Sequence, residues 1–138
     1  MLSAAENEFI TRTGPGTPMG ALLRRYWHPF WLAADAPEAD GAPVRVRLMG
    51  EDLVLFRDSD GRLALIQERC PHRGTSLFYG VNDKGGLRCI YHGWKFDVEG
   101  RCIDMPSDAP GSTFKDRVRA RAYPVIESAG ALWTYMGP

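Results

Sequence analysis

Cys70-Pro71-His72 and Cys89-Ile90-Tyr91-His92 place the strongest constraint on how this chain can fold. Each short stretch pairs one thiol with one imidazole, and together they offer two sulfurs and two nitrogens. Such a set suits a binuclear [2Fe–2S] cluster with both His on one iron, and it also suits a structural zinc ion in a tetrahedron. Zinc-finger ligands commonly come as a Cys pair followed by a His pair, whereas here each half-site is mixed. Mixing favours the binuclear centre, because each loop can give its Cys to an inner iron and its His to an outer one. Gly74 and Gly93 lie just beyond the two His. Glycine permits the backbone angles that turn peptide N–H groups toward sulfur. Iron–sulfur is the favoured reading and zinc the alternative.

With these residues in view, the chain resembles the Rieske non-haem iron ring-hydroxylating oxygenases, and within them the phthalate 4,5-dioxygenase-like alpha subunits. The likeness extends over Gly14-Pro15-Gly16-Thr17-Pro18-Met19-Gly20, Arg25-Tyr26-Trp27-His28-Pro29, Cys70-Pro71-His72-Arg73-Gly74, Tyr91-His92-Gly93-Trp94-Lys95-Phe96-Asp97 and Asp104-Met105-Pro106-Ser107. The resemblance implies that Cys70, His72, Cys89 and His92 are the cluster ligands. It also implies an electron supply from an NAD(P)H-dependent flavin or iron–sulfur reductase, and delivery to a mononuclear iron. In the family that second iron is held by two His and a carboxylate. The chain has three His in all, so only His28 remains, and a second iron site cannot be completed here. The expectation is therefore a Rieske domain without its catalytic partner, which would lie in another part of the same or a neighbouring subunit. A stand-alone Rieske ferredoxin is the alternative, disfavoured by the long stretch from Glu8 to Leu32 that such carriers lack.

The resemblance also separates subclasses. The high-potential cytochrome bc type adds a bridging Cys in each loop, at positions that correspond here to Thr75 and Tyr91, and Trp94 stands where that class often has a serine donor. Fewer donors to sulfur favour the oxidised form. The expected potential lies toward the lower end of the Rieske range of roughly −150 to +300 mV.

At 138 residues the chain can bury one core without disulfides. Its net charge of zero argues against nucleic acid or an anionic membrane as partner. No apolar run approaches the roughly 20 residues of a membrane span, and Met1 to Ile10 does not read as a signal peptide. Three Cys, two of them candidate ligands, leave Cys102 alone, which fits a reducing, cytoplasmic setting.

Local patterns predict a mainly β, antiparallel Rieske-type sandwich or barrel. It would form a single domain over 1–138, with a short N-terminal helix and two cluster loops, at about 68–76 and 88–95, as hairpin tips. Thr17 can cap a helix with Pro18 at its first position, and Met19, Leu22, Leu23 and Tyr26 share one face. Val44, Val46 and Leu48 alternate with Arg45 and Arg47 as in a half-buried strand. Leu53 to Phe56 and Leu63 to Ile66 flank Asp58-Ser59-Asp60-Gly61, a hairpin signal. Further turns are expected at 82–86, 99–100 and 128–130, and no internal repeat is evident.

Four secondary features have bland readings beside the functional ones. His28, among aromatics, is expected to be a packed histidine, and Cys102 a buried inert thiol. Arg73 could stabilise a reduced cluster or form a structural ion pair. Lys115, Arg117, Arg119 and Arg121 alternate, so a strand would set all four on one face, either solvated or docking an acidic redox partner or a neighbouring subunit.

Overall fold

The computed structural model describes all residues from Met1 to Pro138. Its elements in chain order are helices α1 (Ala4–Thr11) and α2 (Pro18–Leu23), then strands β1 (Trp27–Leu32), β2 (Val44–Leu48), β3 (Glu51–Arg57), β4 (Leu63–Gln67), β5 (Val81–Asp83), β6 (Gly86–Arg88), β7 (Lys95–Phe96), β8 (Cys102–Asp104), β9 (Ala122–Tyr123), β10 (Val125–Ser128) and β11 (Ala131–Tyr135). Short 3₁₀ turns lie at Ala33–Asp35, Leu77–Tyr79 and Phe114–Arg117. Every named strand pair is antiparallel. Three sheets result, in the orders β1-β11-β10, β2-β3-β4-β9 and β5-β6-β7-β8. No helix is long and apolar enough to cross a membrane.

The β2-β3-β4-β9 sheet is the middle layer. From β3 and β4, Val54, Phe56, Ala64 and Ile66 join Leu77, Leu87, Phe96 and the three Cys in one core, whereas Leu53, Leu55 and Leu65 join Leu132 and Met136 in another. Apolar cover on both faces explains why Leu53 to Phe56 and Leu63 to Ile66 read as continuous apolar runs. β2 lies at the sheet edge and keeps the alternation expected of it, with Arg45 and Arg47 exposed.

Turn chemistry sets the hairpins. Met49-Gly50, Lys84-Gly85 and Ala129-Gly130 each have two positive φ angles in a two-residue connection, the geometry that suits twisted strands. Two longer turns share a pattern that the sequence reading passed over. Asp58 accepts from the N–H groups of Asp60 and Arg62 and from Arg62 Nε, and Asp97 accepts likewise from Glu99, Arg101 and Arg101 Nε. Asp-x-x-Gly-Arg is thus a small repeated device for closing a hairpin over a buried carboxylate.

The helical region differs from expectation in two ways. Thr17 caps α2 through Gly20 N–H as predicted, but the helix stops at Leu23 and Tyr26 is exposed. The chain tightens to i→i+3 bonds at Arg25 and Tyr26. Arg24 is drawn inward to Thr13 O, Met49 O and Glu51. Helix α1 was not anticipated, although Ser3 and Glu6 form a capping box readable as Ser-x-x-Glu.

The two Cys–His segments are hairpin tips, as expected. The first springs from an Arg69↔Ser76 bridge after β4, the second from the Arg88↔Lys95 pair of β6 and β7. Their backbones close identically. Cys70 N–H donates to Thr75 O and Gly74 N–H to Cys70 O; Cys89 N–H donates to Trp94 O and Gly93 N–H to Cys89 O. Gly74 and Gly93 have φ of +73° and +74°, which an L side chain resists.

Glu51 joins three distant segments. It is buried, accepts from Arg24 at 2.7 Å and Arg121 at 2.6 Å, and takes the Tyr123 hydroxyl on both oxygens. Burial alone would raise its pKa, but the hydrogen bonds from Arg24, Tyr123 and Arg121 outweigh that and hold it below the ordinary glutamate value. A lowered native pKa means that the unfolded chain binds more protons in the acid range. Stability from this carboxylate is therefore complete above the ordinary glutamate pKa and lost as pH falls through the native one.

Two predictions follow from these contacts. Glu51→Gln should cost about 2–3 kcal/mol in urea unfolding at pH 7, short of the full cost of breaking a buried pair because Arg121 is half-exposed, and should flatten the acid limb of stability against pH. An acid limb unchanged in the variant would exclude this role. Gly74→Ala and Gly93→Ala should each lose about 1–2 kcal/mol from backbone strain. Gly93→Ala should lose more, since its new Cβ would sit 3.1 Å from Pro106 Cγ while that of Gly74 meets open space.

Candidate metal centre

Cys70 and Cys89 lie in the core shared by the middle sheet and the β5-β6-β7-β8 sheet, at 3% and 2% exposure. Burial raises the Cys70 pKa and the neighbouring Cys89 adds to the rise, while the backbone N–H groups of His72 and Arg73 hydrogen-bond the sulfur and pull the other way. His72 and His92 are half-buried and stand further out on the loops, their ring centres 4.6 Å apart. Burial, then His92 and Arg73, hold the His72 pKa below the ordinary imidazole value, which favours the neutral ring that a metal requires.

The four side chains thus gather as an inner pair of sulfurs and an outer pair of imidazoles. No three Cys, His, Asp or Glu side chains converge on one point. A two-by-two set of this kind is the one a binuclear cluster takes, with sulfur on one metal and nitrogen on the other. A further mark is Trp94 Nε1, a buried donor with no protein partner. Backbone N–H groups aimed at sulfur and the two-by-two donor set fit an iron–sulfur cluster.

Each loop is braced at its base by charged residues that sequence reasoning missed. Behind the first, the buried Glu68 accepts from Ser76 Oγ and from Arg45 Nε, and Arg45 lies over the Phe78 ring at 4.0 Å. Behind the second, Arg88 donates to Gly93 O at 2.7 Å and pairs with Asp104 at 2.8 Å. The only prior hint was position: Glu68 closes an apolar strand and Arg88 directly precedes Cys89. The Asp104-Met105-Pro106 stretch gains a physical role here, since Asp104 holds Arg88, Met105 enters the core and Pro106 packs on Gly93.

Other candidates take the bland reading. His28 Nε2 meets Leu23 O at 2.7 Å, far along the chain from either loop and in a different sheet. Cys102 is buried with its pKa raised by that burial, and its Sγ donates to Asp104 O. Arg73 is exposed and forms no ion pair, so the structural salt bridge weighed for it is absent. The basic run is not one strand face. Alternation holds from Val118 to Ala122, but Lys115 and Arg117 fall in a 3₁₀ turn. Lys115 is bound to Ile103 O, Arg119 to Glu99 O and Arg121 to Glu51, which leaves Arg117 over the Phe114 ring.

A family model of the Rieske [2Fe-2S] domain matches residues 26–124. Over 99% of its length the chain is 53% identical to the 3-chlorobenzoate-3,4-dioxygenase oxygenase subunit of Comamonas testosteroni, covering 32% of that protein. It is 49% identical over its whole length to the phthalate 4,5-dioxygenase oxygenase subunit of Pseudomonas putida, covering 31%, and 49% identical to the 5,5'-dehydrodivanillate O-demethylase oxygenase subunit of Sphingobium sp. (strain NBRC 103272 / SYK-6), covering 33%. The chain therefore spans about a third of the length of these relatives. Among solved structures, dicamba monooxygenase with non-haem iron and dicamba superposes with a TM-score of 0.74 at 29% identity, over 86% of this chain and 35% of that one. Paired Cys–His hairpin tips on an antiparallel β scaffold, with a matching family model and oxygenase-subunit relatives, establish that the chain belongs to the Rieske [2Fe–2S] domain family.

Proposed function

We propose that residues 1–138 form one electron-transfer domain in which Cys70, His72, Cys89 and His92 hold a Rieske [2Fe–2S] cluster. The observation that carries this reading is the pairing of buried thiols with outward imidazoles on two loops of identical backbone closure. When bound, such a cluster takes up and releases single electrons. Cys70 and Cys89 would hold the inner iron away from water. His72 and His92 would hold the outer iron and provide the short path to the surface. Backbone N–H groups of His72 and Arg73, aimed at the Cys70 sulfur, would offset its negative charge. Glu68 and Arg88 would keep the two loops in register as that charge changes.

The electron source in this reading is an NAD(P)H-dependent reductase, and the destination is the mononuclear iron of an oxygenase that hydroxylates or demethylates aromatic compounds, in the same or a neighbouring subunit. Relatives named as dioxygenase and O-demethylase subunits support that destination. Ile90 and Tyr91, exposed apolar residues beside His92, give a partner an apolar foothold next to the exit imidazole. Unbridged Cys70, Cys89 and Cys102 agree with a cytoplasmic setting.

Anaerobic reconstitution with iron and sulfide should yield about two irons and two sulfides per chain, with a Rieske-type visible and EPR spectrum and a potential toward the lower end of about −150 to +300 mV. Cys89→Ser or His92→Ala should abolish that spectrum while far-UV circular dichroism stays β-rich. A colourless protein that binds one zinc and refuses iron would rule the reading out.

A further inference from the structure

Among the exposed aromatics of the loops and their cover, Trp94 is the exception, at 8% exposure. Its indole lies flat on the imidazole of His72, with ring centres 4.3 Å apart and planes inclined by 8°. The contact crosses between loops, since Trp94 belongs to the second and His72 to the first. His92 has no such plate: its ring meets Tyr91 at a 47° tilt, and Tyr91 is 57% exposed. Phe114 covers Trp94 in a T-shaped contact at 6.3 Å. Space-filling alone is a weak reason for tryptophan here, because its Nε1–H is buried without a partner, a cost that Phe or Leu would avoid.

We propose that Trp94 is a positioning residue for His72, fixing the plane of that imidazole and setting an electron-rich ring face against it, so that the oxidised form of the centre is favoured. This deepens the cluster reading and rests on it. The face of an aromatic ring carries negative potential and attracts positive charge. An imidazole bonded to a ferric ion is more positive than the same imidazole bonded to a ferrous ion. The stack is therefore worth more before reduction than after it, and the potential falls. Reduction still adds one electron, supplied by the reductase, and Trp94 itself neither gains nor loses one. Because His92 lacks an equivalent face, the effect acts through one of the two imidazoles.

Trp94→Leu removes the face and keeps an apolar side chain; Trp94→Phe keeps a weaker face and removes the N–H. Both are reconstituted with iron and sulfide, then titrated with a chemical reductant while visible absorbance and the EPR g values of the reduced form are followed. At a poise where half of the unsubstituted protein is reduced, Trp94→Leu should show a reduced-to-oxidised ratio about threefold higher, equivalent to about 28 mV for a one-electron couple. Its g values should change, and Trp94→Phe should fall between the two proteins. A tryptophan that only fills space would lower stability and cluster yield without moving the potential or g values of the loaded fraction. That outcome in every variant that loads overturns the inference and leaves the cluster reading intact. Failure of the unsubstituted chain to give any [2Fe–2S] spectrum overturns the cluster reading first, and this inference with it.

Discussion

A strand pair buried on both faces has no solvent side to set its register, and β3 with β4 is such a pair. One-residue slippage would exchange one set of apolar side chains for another at small hydrophobic cost. The ends of the pair carry the information instead. Glu51 opens β3, Asp58 follows its last residue, and Glu68 follows the last residue of β4. All three carboxylates are buried, and each meets arginine: Arg24 and Arg121 at Glu51, Arg62 at Asp58, Arg45 at Glu68. A slip would leave a buried carboxylate without its cation, which is far more expensive than a mismatched methyl group.

That register reaches the candidate metal centre directly. Leu77 N–H donates to Glu68 O, and the Glu68 carboxylate takes Ser76, so the end of β4 fixes the base of the first Cys–His loop. The second loop is fixed from the other side of the same core, where Leu87 and Phe96 lie beside Val54 and Phe56. Two loops that meet through His72, His92 and Trp94 are thereby held by one packed layer between their bases. Long-range order of this kind fixes where the two Cys–His loops stand relative to each other.

The legibility of this protein in its sequence follows the range of the interactions. The two Cys–His hairpin tips were readable because each of Cys70-Pro71-His72 and Cys89-Ile90-Tyr91-His92 is local, and the β3–β4 hairpin because Asp58 to Gly61 carries its own turn chemistry. The capping box at Ser3 and Glu6 and the Met49-Gly50 turn were equally local and were passed over. Glu51 and Glu68 were not readable, because their meaning lies in Arg24, Arg121 and Arg45, cations that nothing in the sequence marks as their partners. The basic run misled for the same reason. Period-two spacing from Lys115 to Arg121 is compatible with a strand, but Lys115 binds the Ile103 carbonyl and closes a 3₁₀ turn, and only tertiary contact decides between the two.

The mixed half-sites have a geometric logic that neither loop shows alone. Both loops close with the same pair of hydrogen bonds from the Cys and from the Gly four residues on. Within that shared frame His72 stands two residues after its Cys and His92 three, so the imidazoles leave their loops at different points and meet as neighbours across the gap. The residue that ends each frame also differs, Thr75 in the first and Trp94 in the second. A small side chain ends one loop, and from the other a large ring reaches across to the opposite histidine. Equal backbones with unequal side chains therefore build an asymmetric outer face from a nearly symmetric pair of turns. The asymmetry lies at the outer imidazoles, and the symmetry lies where the thiols are buried.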